Sequence, residues 1–97
     1  MTMRLSSYTK DVLAALTIEP LWKRRGDFIR SSEVQAPGAT AFNGMTIALL
    51  HQHRLVSVRV RRNPRRIEAN LTAAGRRRAA AILAARAEIL MMGAAYV

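Results

Sequence analysis

Five arginines and an asparagine crowd a single turn: Arg59, Arg61, Arg62, Asn63, Arg65 and Arg66, with Pro64 among them. Guanidinium groups stay charged at any physiological pH and present a planar fork of donors that matches phosphate or carboxylate oxygens. Asn tolerates a left-handed backbone and Pro pre-sets φ without donating a ladder bond, so Asn63-Pro64 suits the tip of a hairpin. Such a tip cannot be buried; it faces water or an anionic partner. No other constellation carries chemistry. His51 and His53 stand two apart and do not share a helix face, and no cysteine or suitably spaced carboxylate joins them. The carboxylates Asp11, Glu19, Asp27, Glu33, Glu68 and Glu88 are scattered singly. No Ser/His/Asp grouping, glycine-rich phosphate loop or H-E-x-x-H run occurs. The expectation is a non-enzyme with no catalytic residue, no metal site and no cofactor.

The whole chain shares the bias of that turn. Sixteen basic residues against six acidic ones give a formal net charge of +10 over 97 residues. Each phosphate such a surface neutralises releases a condensed counterion, so the balance favours a polyanionic partner. The bland alternative is a basic solvated surface, since 14 of the 16 basic residues are Arg and a GC-rich codon bias also yields Arg and Ala. The length suits one domain with a modest core. MTMRLSSYTK lacks the apolar centre of a signal peptide. The longest apolar run, 79–85, lies between Arg78 and Arg86 and falls far short of the roughly 20 residues that span a bilayer. A cytoplasmic, nucleoid-associated protein without a membrane partner is expected.

The elements that would position the arginines follow from periodicity. Val56, Val58 and Val60 alternate with Ser57, Arg59 and Arg61, and Ile67, Ala69 and Leu71 alternate with Glu68 and Asn70. That is the period of two half-buried strands. Thr72 can cap a long final helix over about 72–92. This helix carries two apolar stripes, Ala79, Ile82 and Ile89 on one side and Leu83, Ala87 and Leu90 on the other, so its second side wants a partner. Upstream, Ser6, Ser7 and Thr9 offer caps for a first helix to about Leu16, with Val12, Leu13 and Leu16 as its buried stripe and Pro20 as its limit. Leu21 and Trp22 read as a hydrophobic plug, with Trp22 at the core rather than a platform for base stacking. Residues 23–27 read as a basic connection, either solvated or touching phosphate. Phe28-Ile29-Arg30 suits a minor strand against the hairpin. Ser31 or Ser32 caps a short second helix with Glu33 in its first turn, and Pro37-Gly38 breaks the chain. A third helix is expected over about 40–53, burying Phe42, Met45, Leu49 and Leu50 with Ile47 at the boundary.

The order helix, short strand, helix, turn, helix, basic hairpin, helix resembles the winged helix-turn-helix family, and within it bacterial regulators of the MarR and PadR type. The resemblance covers about 8–89. It rests on S-S-E-V at the second helix, A-L-L-H-Q-H-R-L-V closing the third, the hairpin, and L-T-A-A-G-R at 71–76. Leu50 and Leu55 would turn the chain from third helix into first wing strand, both facing the core, with Arg54 standing where the family has glycine. The fold class implied is mainly α with a small β-hairpin: one winged helix-turn-helix domain, core about 8–72, with a long C-terminal helix. The function implied is sequence-specific binding of double-stranded DNA by a small, repressor-like transcriptional regulator. The third helix would enter the major groove, offering Thr40, Asn43, Thr46, His51 and Arg54. The wing would add Arg59, Arg61, Arg62, Asn63, Arg65 and Arg66 to phosphates or the minor groove. A homodimer through the C-terminal helix, on Leu83, Ala87 and Leu90, would present two wings to one site. An excisionase-like architectural factor, a protein-interaction module with an acidic partner, and RNA binding are the competing readings; few aromatics are free for single-strand stacking.

Overall fold

Ser6 opens the first helix: its Oγ accepts the Thr9 backbone N–H at 3.2 Å and lies 2.9 Å from the Thr9 hydroxyl. In the computed structural model, which describes residues 4–62 and 64–95, this helix is α1 (Ser7–Ile18). Val12, Leu13 and Leu16 are buried as the periodicity requires. Glu19 leaves the helix with extended backbone ahead of Pro20. Its carboxylate accepts the Ser31 hydroxyl at 2.9 Å, the Ser32 N–H at 2.6 Å and the Ser32 hydroxyl at 2.8 Å. The end of α1 is thereby tied to a single 3-10 turn, Ser31–Glu33, which stands where a second helix was expected.

Between them the chain makes a tight hairpin rather than a plug and a basic loop. Strand β1 (Leu21–Arg24) pairs antiparallel with β2 (Asp27–Arg30) around Arg25-Gly26. Arg25 takes the left-handed backbone, φ 61°, that turns usually assign to glycine. β2 does pair as a strand, but with β1; it is β1 that joins the long hairpin, β3 (Val56–Arg61) and β4 (Arg66–Leu71), through Leu21↔Ala69 and Trp22↔Glu68. The result is one antiparallel sheet of order β2-β1-β4-β3. The expected class, mainly α with a small β-hairpin in a winged helix-turn-helix, is therefore corrected. Among the described residues the protein is α+β, about half helical, with four strands in the middle of the chain and three α-helices. The tandem pair of helices that defines a helix-turn-helix is replaced by a hairpin and a 3-10 turn.

The helix before the long hairpin is shorter than its apolar pattern suggests. α2 (Gly44–Gln52) begins at Asn43, whose Oδ1 accepts the Met45 N–H at 2.8 Å. Thr40 and Phe42 precede it, Phe42 forming a bridge with Phe28 at the free edge of β2. Ile47 and Leu50 are buried, whereas Met45 is 81% and Leu49 41% exposed, so the expected buried face is rotated. Gly44 is required by closeness: a Cβ there would fall on the carbonyl oxygen of Gly26. At the far end Leu55 N–H bonds Leu50 C=O and Arg54 N–H bonds His51 C=O, each at 3.0 Å, with Arg54 left-handed at φ 60°. This is the Schellman termination, and Leu50 and Leu55 are both buried in it, as expected.

α3 (Ala73–Ala95) starts at Thr72, whose Oγ1 accepts the Gly75 N–H at 3.1 Å and donates to the Arg54 carbonyl at 2.6 Å. The three helices cover one face of the sheet, and Val12, Leu13, Leu21, Ile47, Leu50 and Val56 fill the space between. Burying a side chain of this size stabilises the fold by about 1.5–3 kcal/mol. Arg86 pairs with Asp11 at 2.6 Å, running α3 antiparallel along α1. With about 1.5 Å of rise per residue, α3 is about 35 Å long and outruns α1, at about 18 Å. Ile89, Leu90, Met91 and Met92, toward the C-terminal end of α3, are all exposed.

Candidate nucleic-acid interface

Strand alternation sorts the sheet into two faces. Val58, Ile67, Ala69 and Leu71 turn toward the helices. Ser57, Arg59 and Arg61 of β3, Arg66, Glu68 and Asn70 of β4, and Trp22 and Arg24 of β1 share the opposite face, which no helix covers.

Glu68 is the hub of that face. Its side chain is 8% exposed. Oε1 accepts Asn70 Nδ2 at 2.8 Å and Arg61 Nε at 3.2 Å, and Oε2 accepts Trp22 Nε1 at 3.1 Å. Arg66 Nε stands 4.0 Å from Oε2, within ion-pair range but beyond a hydrogen bond. Its guanidinium lies 4.0 Å from the centre of the Trp22 ring, a cation-π contact. The Asn70 amide lowers the Glu68 pKa most; the Trp22 and Arg61 bonds and the Arg61 charge act the same way, against burial, which raises it. Glu68 is thus held ionised, and it orients Arg61 and Arg66 across the face.

Of the five guanidiniums of the hairpin, Glu68 engages two, those of Arg61 and Arg66. Arg59, Arg62 and Arg65 are exposed and form no ion pair with any described residue. Asn63 lies outside the described residues. The expected hairpin residues are therefore brought together on one edge of the molecule, with Arg61 and Arg66 anchored and the other three arginines free in solvent.

The residues expected on a recognition helix are not brought together. Thr40 is exposed in the loop ahead of α2. Asn43 is exposed at the cap, its side chain bonded to Met45 N and its own N–H to the Tyr8 hydroxyl at 2.7 Å. Thr46 is half-buried, His51 Nδ1 lies 3.0 Å from the Val56 carbonyl oxygen, and Arg54 occupies the left-handed position after the helix. Met45, Ala48, Leu49 and Gln52 form the outer surface of α2, which is largely apolar and carries no charge. On α3, Leu83, Ala87 and Leu90 are all exposed.

Sequence reasoning missed Trp22, Glu68 and Arg24 as parts of this face. The signal was alternation: with Leu21 turned inward, Trp22 must turn outward, toward the lone acid of the basic hairpin. Two further basic groups are exposed, Lys23, Arg24 and Arg25 at the first hairpin and Arg76 and Arg77 at the start of α3. Among the described residues no cluster of His, Cys, Asp or Glu suits a metal ion, and no helix is long and apolar enough to cross a membrane. No family model, no curated protein and no solved structure matches the chain.

Proposed function

We propose that this domain binds double-stranded DNA through the uncovered face and tip of the β3–β4 hairpin, as a small, dimeric, nucleoid-associated transcriptional regulator of the cytoplasm. The observation that carries this reading is a hairpin of five arginines, two of them held by a single buried carboxylate and three exposed. Glu68 fixes Arg61 and Arg66 in place, while Arg59, Arg62 and Arg65 remain available to phosphates. A two-stranded ribbon fits the major groove, and arginines at a narrow turn suit phosphates and the electronegative minor groove. The uncharged outer surface of α2 makes the hairpin, not that helix, the main contact. Kinship with regulators of the MarR and PadR type rests on the run from α2 through the hairpin into α3; the first hairpin and the 3-10 turn depart from that pattern.

The dimer is part of the same reading. Leu83 is 43% and Leu90 74% exposed, and the same end of α3 adds the exposed Ile89, Met91 and Met92. A helix apolar on several sides is stable when a partner covers it. A second copy would place two hairpins on one pseudo-palindromic site. A protein-interaction module is the second reading, favoured by the exposed Met45 and Leu49 on α2.

Fluorescence anisotropy of labelled duplex DNA, duplex RNA and single-stranded DNA over a salt series tests the proposal. Duplex DNA is expected to bind tightest, with affinity falling steeply as salt rises. Equal, salt-independent binding of all three, or none, overturns it.

A further inference from the structure

On the helix-covered side of the sheet a cleft of about 490 Å³ opens between α2 and the two hairpins. Phe28, Ile47, Val58 and Ile67 form its floor, and Met45 and Ala48 stand at its wall. Ile47 and Phe28 are almost wholly shielded from water and Val58 and Ile67 only partly, so the cleft reaches down to the apolar core between the latter two. The backbone shapes it: Gly44 sits against the Gly26 carbonyl with no room for a Cβ, which fixes α2 to the first hairpin and sets the cleft's width.

Its charge is one-sided. Lys23 lies in the lining, exposed and with no ion pair to any described residue, and among the described residues no Asp or Glu shares the lining. Asp27, next in sequence to the lining residue Gly26, accepts the Gly44 N–H at 3.3 Å. His51 completes the wall with its Nδ1 held against the Val56 carbonyl.

From this pairing of an apolar floor with a single unpaired ammonium, we infer that the cleft is a binding site for a small amphiphilic acid, an apolar body bearing one carboxylate. The apolar body covers Phe28, Ile47, Val58 and Ile67, and the carboxylate meets Lys23 at the mouth. The site lies on the opposite face of the sheet from Arg59, Arg61 and Arg66, and its occupancy does not depend on DNA binding.

Octanoate, below its micellar concentration, is the probe, with octanol as its uncharged counterpart, each titrated into the isotope-labelled full chain and followed by amide NMR. Saturable shifts centred on Phe28, Ile47, Val58 and Ile67 are expected, with octanoate tighter than octanol. Lys23→Met is expected to weaken octanoate by roughly two- to five-fold, as an exposed ion pair dictates, and to leave octanol unchanged. Ala48→Phe, at an exposed position whose larger side chain fills the cleft, is expected to abolish saturable binding of both while the amide dispersion shows the fold intact. Equal affinity for octanoate and octanol in the wild type overturns the assignment of an acid. Absence of saturable shifts overturns the site, as do cleft shifts that follow protein dilution rather than octanoate, which would give the cleft to a second copy.

Discussion

Trp22 and Glu68 face each other across the β1–β4 pair, the indole N–H donating to the carboxylate at 3.1 Å on the side of the sheet that no helix covers. Two hairpins distant in the chain are locked by that bond, and the arginine-rich one acquires a rigid base. Because Arg66 stacks on the same indole, the only tryptophan of the chain stands inside the proposed interface. Its emission is expected to change on titration with duplex DNA, and Arg66→Ala is expected to blunt that change. A constant emission at saturating DNA would place the contact elsewhere.

Glu68 sets a pH dependence whose sign is fixed. Its pKa is lowered in the folded protein, chiefly by the Asn70 amide. A carboxylate so held contributes stability above its unfolded pKa of about 4.3, and that contribution is lost as pH falls through the lower, folded value. Glu68→Gln is expected to lower Tm at pH 7 and to flatten the fall of Tm below about pH 4.3. Glu19, also lowered, chiefly by its bond from the Ser32 N–H, leaves a residual slope in the variant. If wild type and Glu68→Gln lose Tm in parallel through that range, the cluster does not hold the carboxylate ionised.

Arg54 does the work of a glycine. Its φ of 60° lies in the left-handed region at the turn that closes α2. A residue with a Cβ is strained there by roughly 1 kcal/mol. Arg54→Gly is expected to raise unfolding stability by about 0.5–1 kcal/mol in urea titration, and Arg54→Ala to give no gain. At Gly75 the reverse holds, because a Cβ there would fall on the Leu55 carbonyl oxygen. Gly75→Ala is expected to cost about 1–3 kcal/mol.

These particulars show where the sequence was legible. The long hairpin follows from strict alternation, and α1 and α3 from caps and apolar spacing. The Leu50–Leu55 turn was readable although Arg54 replaces glycine, because both leucines keep the core contact. The first hairpin was not readable: LWKRRGDFIR carries three consecutive cations where a strand pattern needs alternation, and Arg25, not glycine, takes its left-handed position. α2 misled because it offers more apolar residues than it buries; Met45 and Leu49 competed with Ile47 for the inward face. Within the site, the arginines were visible as a cluster. The role of Glu68 was not, since it depends on a strand 46 residues away.

The exposed apolar side of α3 tests the dimer. Leu83 and Leu90 are exposed, so replacing both by Glu is expected to leave the fold and its melting intact. Light scattering at tens of micromolar should then report a dimer for wild type and a monomer for the double variant. A monomeric wild type removes the dimer from the proposal.

The arginines of the hairpin separate binding from stability. Arg59, Arg62 and Arg65 pair with no carboxylate of a described residue, and surface replacements of that kind stay within about ±0.5 kcal/mol. Arg66 differs, since it covers Trp22, and is left in place. Each arginine that neutralises a phosphate steepens the dependence of log K on log salt by about 0.9. Changing Arg59, Arg62 and Arg65 together to Ala is therefore expected to flatten the slope by roughly two to three units, with an unchanged melting temperature. Affinity for one duplex is measured across the salt series for both proteins. If slope and affinity are unaltered, the hairpin is not the phosphate contact, and Arg76 with Arg77, or Lys23 with Arg24 and Arg25, is the next basic group to test.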